Sequence, residues 1–163
     1  APIPKLAHLL EHVPPARLFE EICKLFMTGH GMRSMEALQR FGLSCTLFPG
    51  LRRGAGPGKV QLRPLLKFSL ENTDERIHAD KPVTPAFLFA ALLWAPVEEG
   101  AQRYVEQGDS EHAAVMRAAE DALAAQARRT AIPRRFSAVT RQIWVMPTLV
   151  PRMPFTLNVL RRS

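Results

Sequence analysis

Residues 84–97 read Thr-Pro-Ala-Phe-Leu-Phe-Ala-Ala-Leu-Leu-Trp-Ala-Pro-Val, and this stretch decides the fold. Thr84 offers a side-chain acceptor for a helix start. Pro85 suits the first helical turn, where its missing N–H is not needed. From Ala86 to Ala95 the residues are apolar on nearly every side, the pattern of a helix buried at the centre of a fold. Pro96 is expected to break that helix and to begin a surface helix ending at Gly108. The apolar run Ala86 to Val97 has twelve members. That is too short to cross a bilayer, which takes about 20 residues.

Helical periodicity extends outward in both directions, and strand signals are nearly absent. Leu6, Leu9, Leu10 and Val13 share a face up to Pro14-Pro15. Pro15 then opens a helix with a stripe of Leu18, Ile22, Leu25 and Phe26, and with Arg17–Glu21 and Glu20–Lys24 as i,i+4 pairs. Gly29 and Gly31 are expected to end it. Met32, Met35, Leu38 and Phe41 line a third helix, closed by Gly42. Pro49 to Gly58 (PGLRRGAGPG) reads as a flexible surface loop between two helical halves. Beyond it, Pro64 opens a helix carrying Leu66, Leu70, Thr73 and Ile77. Asp109 or Ser110 caps an alanine-rich helix running to about Arg129. Ile132-Pro133 is a corner, and Phe136, Val139, Ile143 and Met146 line the last clear helix, ended by Pro147. The reading is all-α: about eight short helices in an irregular array, with no sheet.

The chain has 163 residues, enough for one domain with a sizeable core, and its 47% apolar and 23% charged content is that of a globular protein. Its charge is unevenly placed. There are 22 Lys+Arg against 15 Asp+Glu, a net +7, and residues 1–127 are close to neutral. Residues 128–163 hold Arg128, Arg129, Arg134, Arg135, Arg141, Arg152, Arg161 and Arg162 with no acid. Arginine interleaved with Phe136 and Trp144 is the chemistry of a surface for single-stranded RNA, guanidinium for phosphates and rings for stacking. Arg128, Arg129, Arg134, Arg135 and Arg141 are the candidate RNA-binding residues. Cys23 and Cys45 lie among apolar neighbours and read as free thiols of a reducing compartment. The opening Ala1-Pro2-Ile3-Pro4 has no basic n-region or h-region, so no signal peptide is expected, and the chain reads as a piece of a longer protein.

Other constellations fit bland roles better than chemical ones. His8-Leu9-Leu10-Glu11-His12 matches H-x-x-E-H, yet its helix stops two residues later and no further Cys or His completes a zinc site. Gly54-Ala55-Gly56-Pro57-Gly58 follows no strand, and Pro57 removes a donor that a phosphate-binding loop needs. Asp109-Ser110-Glu111 is a helix start, and Asp74-Glu75-Arg76 reads as a salt-bridged surface. No catalytic residue and no metal ligand set emerges.

Seven stretches together carry a family likeness. They are 13–21 (VPPARLFEE), 29–31 (GHG), 47–51 (LFPGL), 72–77 (NTDERI), 82–94, 132–136 (IPRRF) and 141–144 (RQIW). In order and with compatible spacings over residues 1–150, they resemble the RNA-binding region of bacterial poly(A) polymerases, in the class II tRNA-nucleotidyltransferase superfamily. Beyond Pro151 the likeness fades into a divergent or truncated end. The resemblance implies a transferase that adds AMP from ATP to RNA 3′ ends without a template, using two Mg2+ ions and promoting RNA decay. It also implies a catalytic head with a Gly-Ser pair and a D-x-D carboxylate pair, then a neck with an E-D-x-x-R motif. None of these motifs occurs in residues 1–163.

The chain is therefore read as non-catalytic on its own, with ATP and Mg2+ belonging to the parent enzyme. Residues 1–48 are read as the end of the neck and the start of the RNA-binding region, 49–59 as a flexible loop, 60–147 as the helical body and 148–163 as a basic tail. By the same resemblance Arg17, Glu20 and Glu21 support the neck. Phe87, Phe89, Leu92, Leu93 and Trp94 form the body core, and Arg134 and Arg135 contact RNA. RNA 3′ ends, proteins of RNA decay, a cytoplasmic location and no membrane follow as expectations. The same region of a CCA-adding enzyme is the nearest alternative. A non-catalytic scaffold that binds only proteins is the alternative from another class.

Overall fold

In a computed structural model the described residues are 10–146, so His8, Pro147 and the expected tail 148–163 lie outside them. Eight helices lie complete among the described residues, in order: α1 Pro15–Phe26, α2 Gly31–Arg40, α3 Ser44–Leu47, α4 Pro64–His78, α5 Pro85–Leu92, α6 Trp94–Glu106, α7 Glu111–Ala127 and α8 Arg134–Val145. Among the described residues the β-structure amounts to an isolated antiparallel bridge between Arg53 and Val60. No helix among them is long and apolar enough to cross a membrane.

α1 begins with Pro15 and buries Leu18, Ile22 and Phe26, the i,i+4 stripe expected of it. Its outer face carries Arg17–Glu21 (3.3 Å), Arg17–Glu20 (3.6 Å) and Lys24–Glu21 (3.3 Å). Glu20 thus pairs with Arg17 and not with the expected Lys24. Gly29 turns the chain with φ +92°, whereas Gly31 starts α2 instead of ending α1. Asp74 explains that start. Its carboxylate accepts from the N–H of Gly31 (2.7 Å) and of Met32 (3.0 Å), capping α2 from a helix far along the chain. Asp74, expected in a salt-bridged surface, is a tertiary helix cap.

The segment expected to be a flexible loop is a docked hairpin. Gly54 N–H donates to the Lys59 carbonyl (2.8 Å) and Gln61 N–H to that of Arg52 (2.7 Å). Gln39 of α2 clamps Val60 from both sides, donating Nε2–H to its carbonyl (2.7 Å) and accepting its N–H (3.0 Å). Leu51 and Val60 are buried. Gly42 and Gly58, with φ of +68° and +70°, press backbone on backbone, and a Cβ on Gly58 would stand 1.7 Å from the Gly42 carbonyl oxygen.

The central stretch holds the core with two corrections. Thr84 Oγ1 accepts from the Ala86 N–H, and Ala86, Leu88, Phe89, Ala90 and Leu92 are buried. The helix breaks at Leu93, three residues before Pro96, which sits in the first turn of α6. The proline ring would collide with the carbonyl four residues earlier, so the chain must leave the helix before reaching it. α6 is no surface helix either, since Trp94, Val97, Glu98, Gly100 and Ala101 are buried. A Cβ on Gly100 would meet the Ala118 Cβ at 3.0 Å, so Gly100 and the alanines of α7 let the two helices pack closely. Of the expected body core, Phe89, Leu92, Leu93 and Trp94 are buried, but Phe87 is 44% exposed.

α8 lies against α5 through two side-chain bonds to carbonyls: Thr140 Oγ1–H to Ala86 (2.9 Å) and Trp144 Nε1–H to Ala90 (3.0 Å). Thr140 and Trp144 are its buried residues. Val139 and Met146, expected on the inner face, are exposed, because these hydrogen bonds rotate the helix towards its polar pair. Buried residues from Leu18 to Trp144 form one cluster, so a single core joins both halves.

Candidate nucleic-acid interface

The end of α7, the corner at 130–133 and the start of α8 form one edge of the molecule. Three links hold it rigid. Gln126 is buried and donates Nε2–H to the Leu47 carbonyl (2.9 Å) and to Thr130 Oγ1 (3.1 Å). Arg129 Nε–H donates to the Thr46 carbonyl (3.0 Å), and Ala131 N–H donates to that of Pro15 (3.0 Å). The corner is therefore fastened to α1 and α3, more than 75 residues earlier in the chain.

The five candidate arginines divide by these contacts. Arg128 caps α7 at its C-terminal end, where the helix dipole favours a cation, and its side chain is exposed. Arg134 and Arg135 are exposed in the first turn of α8, a turn with no acidic residue and no side-chain cap. The dipole there adds positive potential to two cations, an arrangement that a phosphate relieves. The Arg135 guanidinium lies 4.6 Å from the centre of the Phe136 ring. Phe136 stacks on Phe19 at 5.9 Å, and Phe19 on Phe89 at 5.8 Å, so this cation rests on an aromatic column rooted in the core.

Two candidates are committed elsewhere. Arg141 pairs with Glu120 (2.5 Å), joining α8 to α7, and Arg129 is half-buried on the Thr46 carbonyl. Trp144, expected to stack on RNA, is 1% exposed and bonded inward, so it holds α8 in place instead. Arg17, Glu20 and Glu21 are an exposed ion-paired cluster of the kind that contributes little to stability.

A cleft of about 270 Å³ opens beside this edge, lined by Pro49, Gly50, Ala125, Arg128 and Arg129. Pro49 and Gly50 belong to the stretch read only as a loop. What gives them a wall to form is the bonding of Gln126 and Arg129 to the Leu47 and Thr46 carbonyls, a tertiary contact that local pattern does not carry.

Elsewhere, Tyr104 on α6 donates its hydroxyl to Asp121 on α7, and Arg117 covers the Tyr104 ring at 3.9 Å while pairing with Asp109 (2.8 Å). The hydrogen bond to Asp121 raises the Tyr104 pKa. Burial raises that of the Cys23 thiol, and both cysteines are free. Among the described residues no three His, Cys, Asp or Glu side chains gather as a metal site would require. A pair of Mg2+ ions needs clustered carboxylates, so these residues do not fit the two-metal group.

The fold and edge define a class: a helical module with a cationic, aromatic-backed rim, suited to a polyanion. The comparisons with known proteins are more specific. A family described as "Probable RNA and SrmB- binding site of polymerase A" matches residues 1–54, and one described as "Polymerase A arginine-rich C-terminus" matches residues 107–154. Poly(A) polymerase I of Escherichia coli O157:H7 is 42% identical over 153 residues, covering 93% of this chain and 33% of the relative. That of Salmonella typhi is 40% identical over 153 residues, with the same coverage. That of Haemophilus influenzae is 37% identical over 147 residues, 89% of this chain and 32% of the relative. The chain thus matches the RNA-binding and arginine-rich C-terminal regions of bacterial poly(A) polymerases, and spans about a third of the length of these relatives. The two matched regions meet in space, since the α7–α8 corner of the second is bonded to Pro15, Thr46 and Leu47 of the first.

Proposed function

We propose that this chain is the RNA-binding helical part of a poly(A) polymerase that adds AMP from ATP to RNA 3′ ends without a template, promoting RNA decay. The observation that carries the reading is the α7–α8 edge. It presents Arg128, Arg134 and Arg135 exposed and without an ion pair among the described residues, on a rigid, core-bonded corner. Cations carried on a rigid backbone hold a phosphate chain without the entropy cost of ordering a loop. In this reading RNA is steered across the edge, with Arg141 as a positioning residue and Arg129 held at its margin by the Thr46 carbonyl. The nucleotidyl transfer, with its ATP and Mg2+, falls to the rest of the polymerase. Two free cysteines suit a cytoplasmic setting.

Replacing Arg134 and Arg135 together by Ala should weaken oligo(A) binding by about 10-fold or more, two phosphate contacts being lost. Unchanged affinity in fluorescence anisotropy would remove the site assignment. A second reading, a scaffold that binds only a protein, draws on the description of the family matching residues 1–54, which names a protein beside RNA. It requires that oligo(A) bind at no salt concentration.

A further inference from the structure

The cleft beside the arginine edge has a construction that the fold does not require. Gly50 needs no glycine. Its backbone is outside the left-handed region, and an added Cβ would meet only Pro96 atoms at 3.6 and 3.7 Å, ordinary contact. Ala125 is exposed on α7, where a longer side chain has open space beside it. Both small residues line the cleft, with Pro49 as a flat apolar neighbour. At its rim stand two cations without ion pairs among the described residues, Arg128 and Arg129. Arg129 Nε–H is satisfied by Thr46, while its Nη2 is buried and has no acceptor among the described residues. A buried guanidinium donor without a partner costs free energy, and Arg129, only half-buried as a whole, would recover it by turning that donor towards an incoming oxygen.

We infer that this cleft is a subsite for a single nucleotide of the bound RNA, its base against Pro49, Gly50 and Ala125 and its phosphate on Arg128 and Arg129. The inference rests on the RNA-binding reading above and goes beyond it, because it assigns a base contact where the edge supplies only backbone contacts. The volume agrees. At about 270 Å³ the cleft lies just below the roughly 300–1,000 Å³ of small-ligand sites, so it takes one flat ring and not a duplex. Apolar walls accept any base by its face, and the charged rim selects a polyanion.

The test fills the cleft without touching charge. Ala125→Leu keeps a strong helix former on an exposed face, so thermal stability should be unchanged. Binding of fluorescent oligo(A) to the 163-residue chain should weaken about 5- to 10-fold, as loss of one stacked base does. The dependence on salt should stay the same. An oligonucleotide of equal length without bases should bind wild type and Ala125→Leu equally. Gly50→Ala, which introduces no strain, should produce a smaller loss in the same direction. If both variants bind oligo(A) like wild type while Arg134→Ala/Arg135→Ala weakens it, the nucleotide subsite is overturned and the RNA-binding reading stands. If wild type binds no oligo(A) at any salt, the RNA-binding reading fails and the subsite with it.

Discussion

Replacing Gly58 by Ala tests whether the 51–61 segment is a docked hairpin or a loose connection. At φ +70° an alanine costs roughly 1–2 kcal/mol of left-handed strain. The larger cost is steric. The new Cβ would lie 1.7 Å from the Gly42 carbonyl oxygen, against an ordinary separation of about 3.3 Å, so the backbones must part by about 1.5 Å. That displacement breaks the bond from Cys45 N–H to the Gly58 carbonyl, now 3.0 Å, at about 1 kcal/mol. It also strains the two bonds of the Gln39 clamp on Val60, about 1–2 kcal/mol more. The total is about 3–5 kcal/mol, a large share of the roughly 5–15 kcal/mol that holds a domain folded.

Urea unfolding followed by helical circular dichroism measures it. Gly108→Ala is the internal control, since Gly108 has φ +107° but no atom within 4 Å of an added Cβ, and only backbone strain applies there. A flexible loop would make Gly58→Ala neutral or slightly stabilising, because alanine narrows the unfolded ensemble. Gly58→Ala no more destabilising than Gly108→Ala would refute the docked hairpin.

Three further outcomes are expected. Trp144→Phe should cost about 1–3 kcal/mol in thermal or urea unfolding, because the Ala90 carbonyl loses its donor in a buried place, while oligo(A) affinity stays unchanged; weakened binding by a fully folded variant would return Trp144 to the RNA surface. Asp74→Ala should lose about 0.5–2 kcal/mol by uncapping α2, and amide exchange should rise first at Gly31 and Met32. The Tyr104 hydroxyl, held neutral by its bond to Asp121, titrates above its ordinary range. Its contribution to stability is therefore present at neutral pH and is lost as pH rises through the folded-state pKa. Asp121→Asn should move phenolate absorbance to lower pH, and an unmoved titration would exclude the bond.

Much of the fold was legible because helical sequence carries local punctuation. Thr84-Pro85, Ser110 and Gly42 mark boundaries through their own backbone demands, and the structure places caps or turns at each. What escaped the reading depends on distant partners. Asp74 caps α2 from 42 and 43 residues away, and Gln39 holds Val60 over 21. α8 turns towards Thr140 and Trp144 because two carbonyls of α5 bind them, against the simpler apolar stripe. The site followed the same rule. Its arginines were visible as charge without acid, but only contacts separate exposed Arg128, Arg134 and Arg135 from Arg129 on Thr46 and Arg141 on Glu120. The cleft left no local signal, since Pro49 and Gly50 also make an ordinary turn.

The most direct measurement of the central claim is the salt dependence of oligo(A) binding by the 163-residue chain and by its Arg128→Ala/Arg134→Ala/Arg135→Ala variant. Each phosphate contact on a single strand contributes about 0.7 to the slope of log affinity against log salt, so the variant should be shallower by about 2. Equal slopes in the two proteins would contradict the account and place the RNA on another surface.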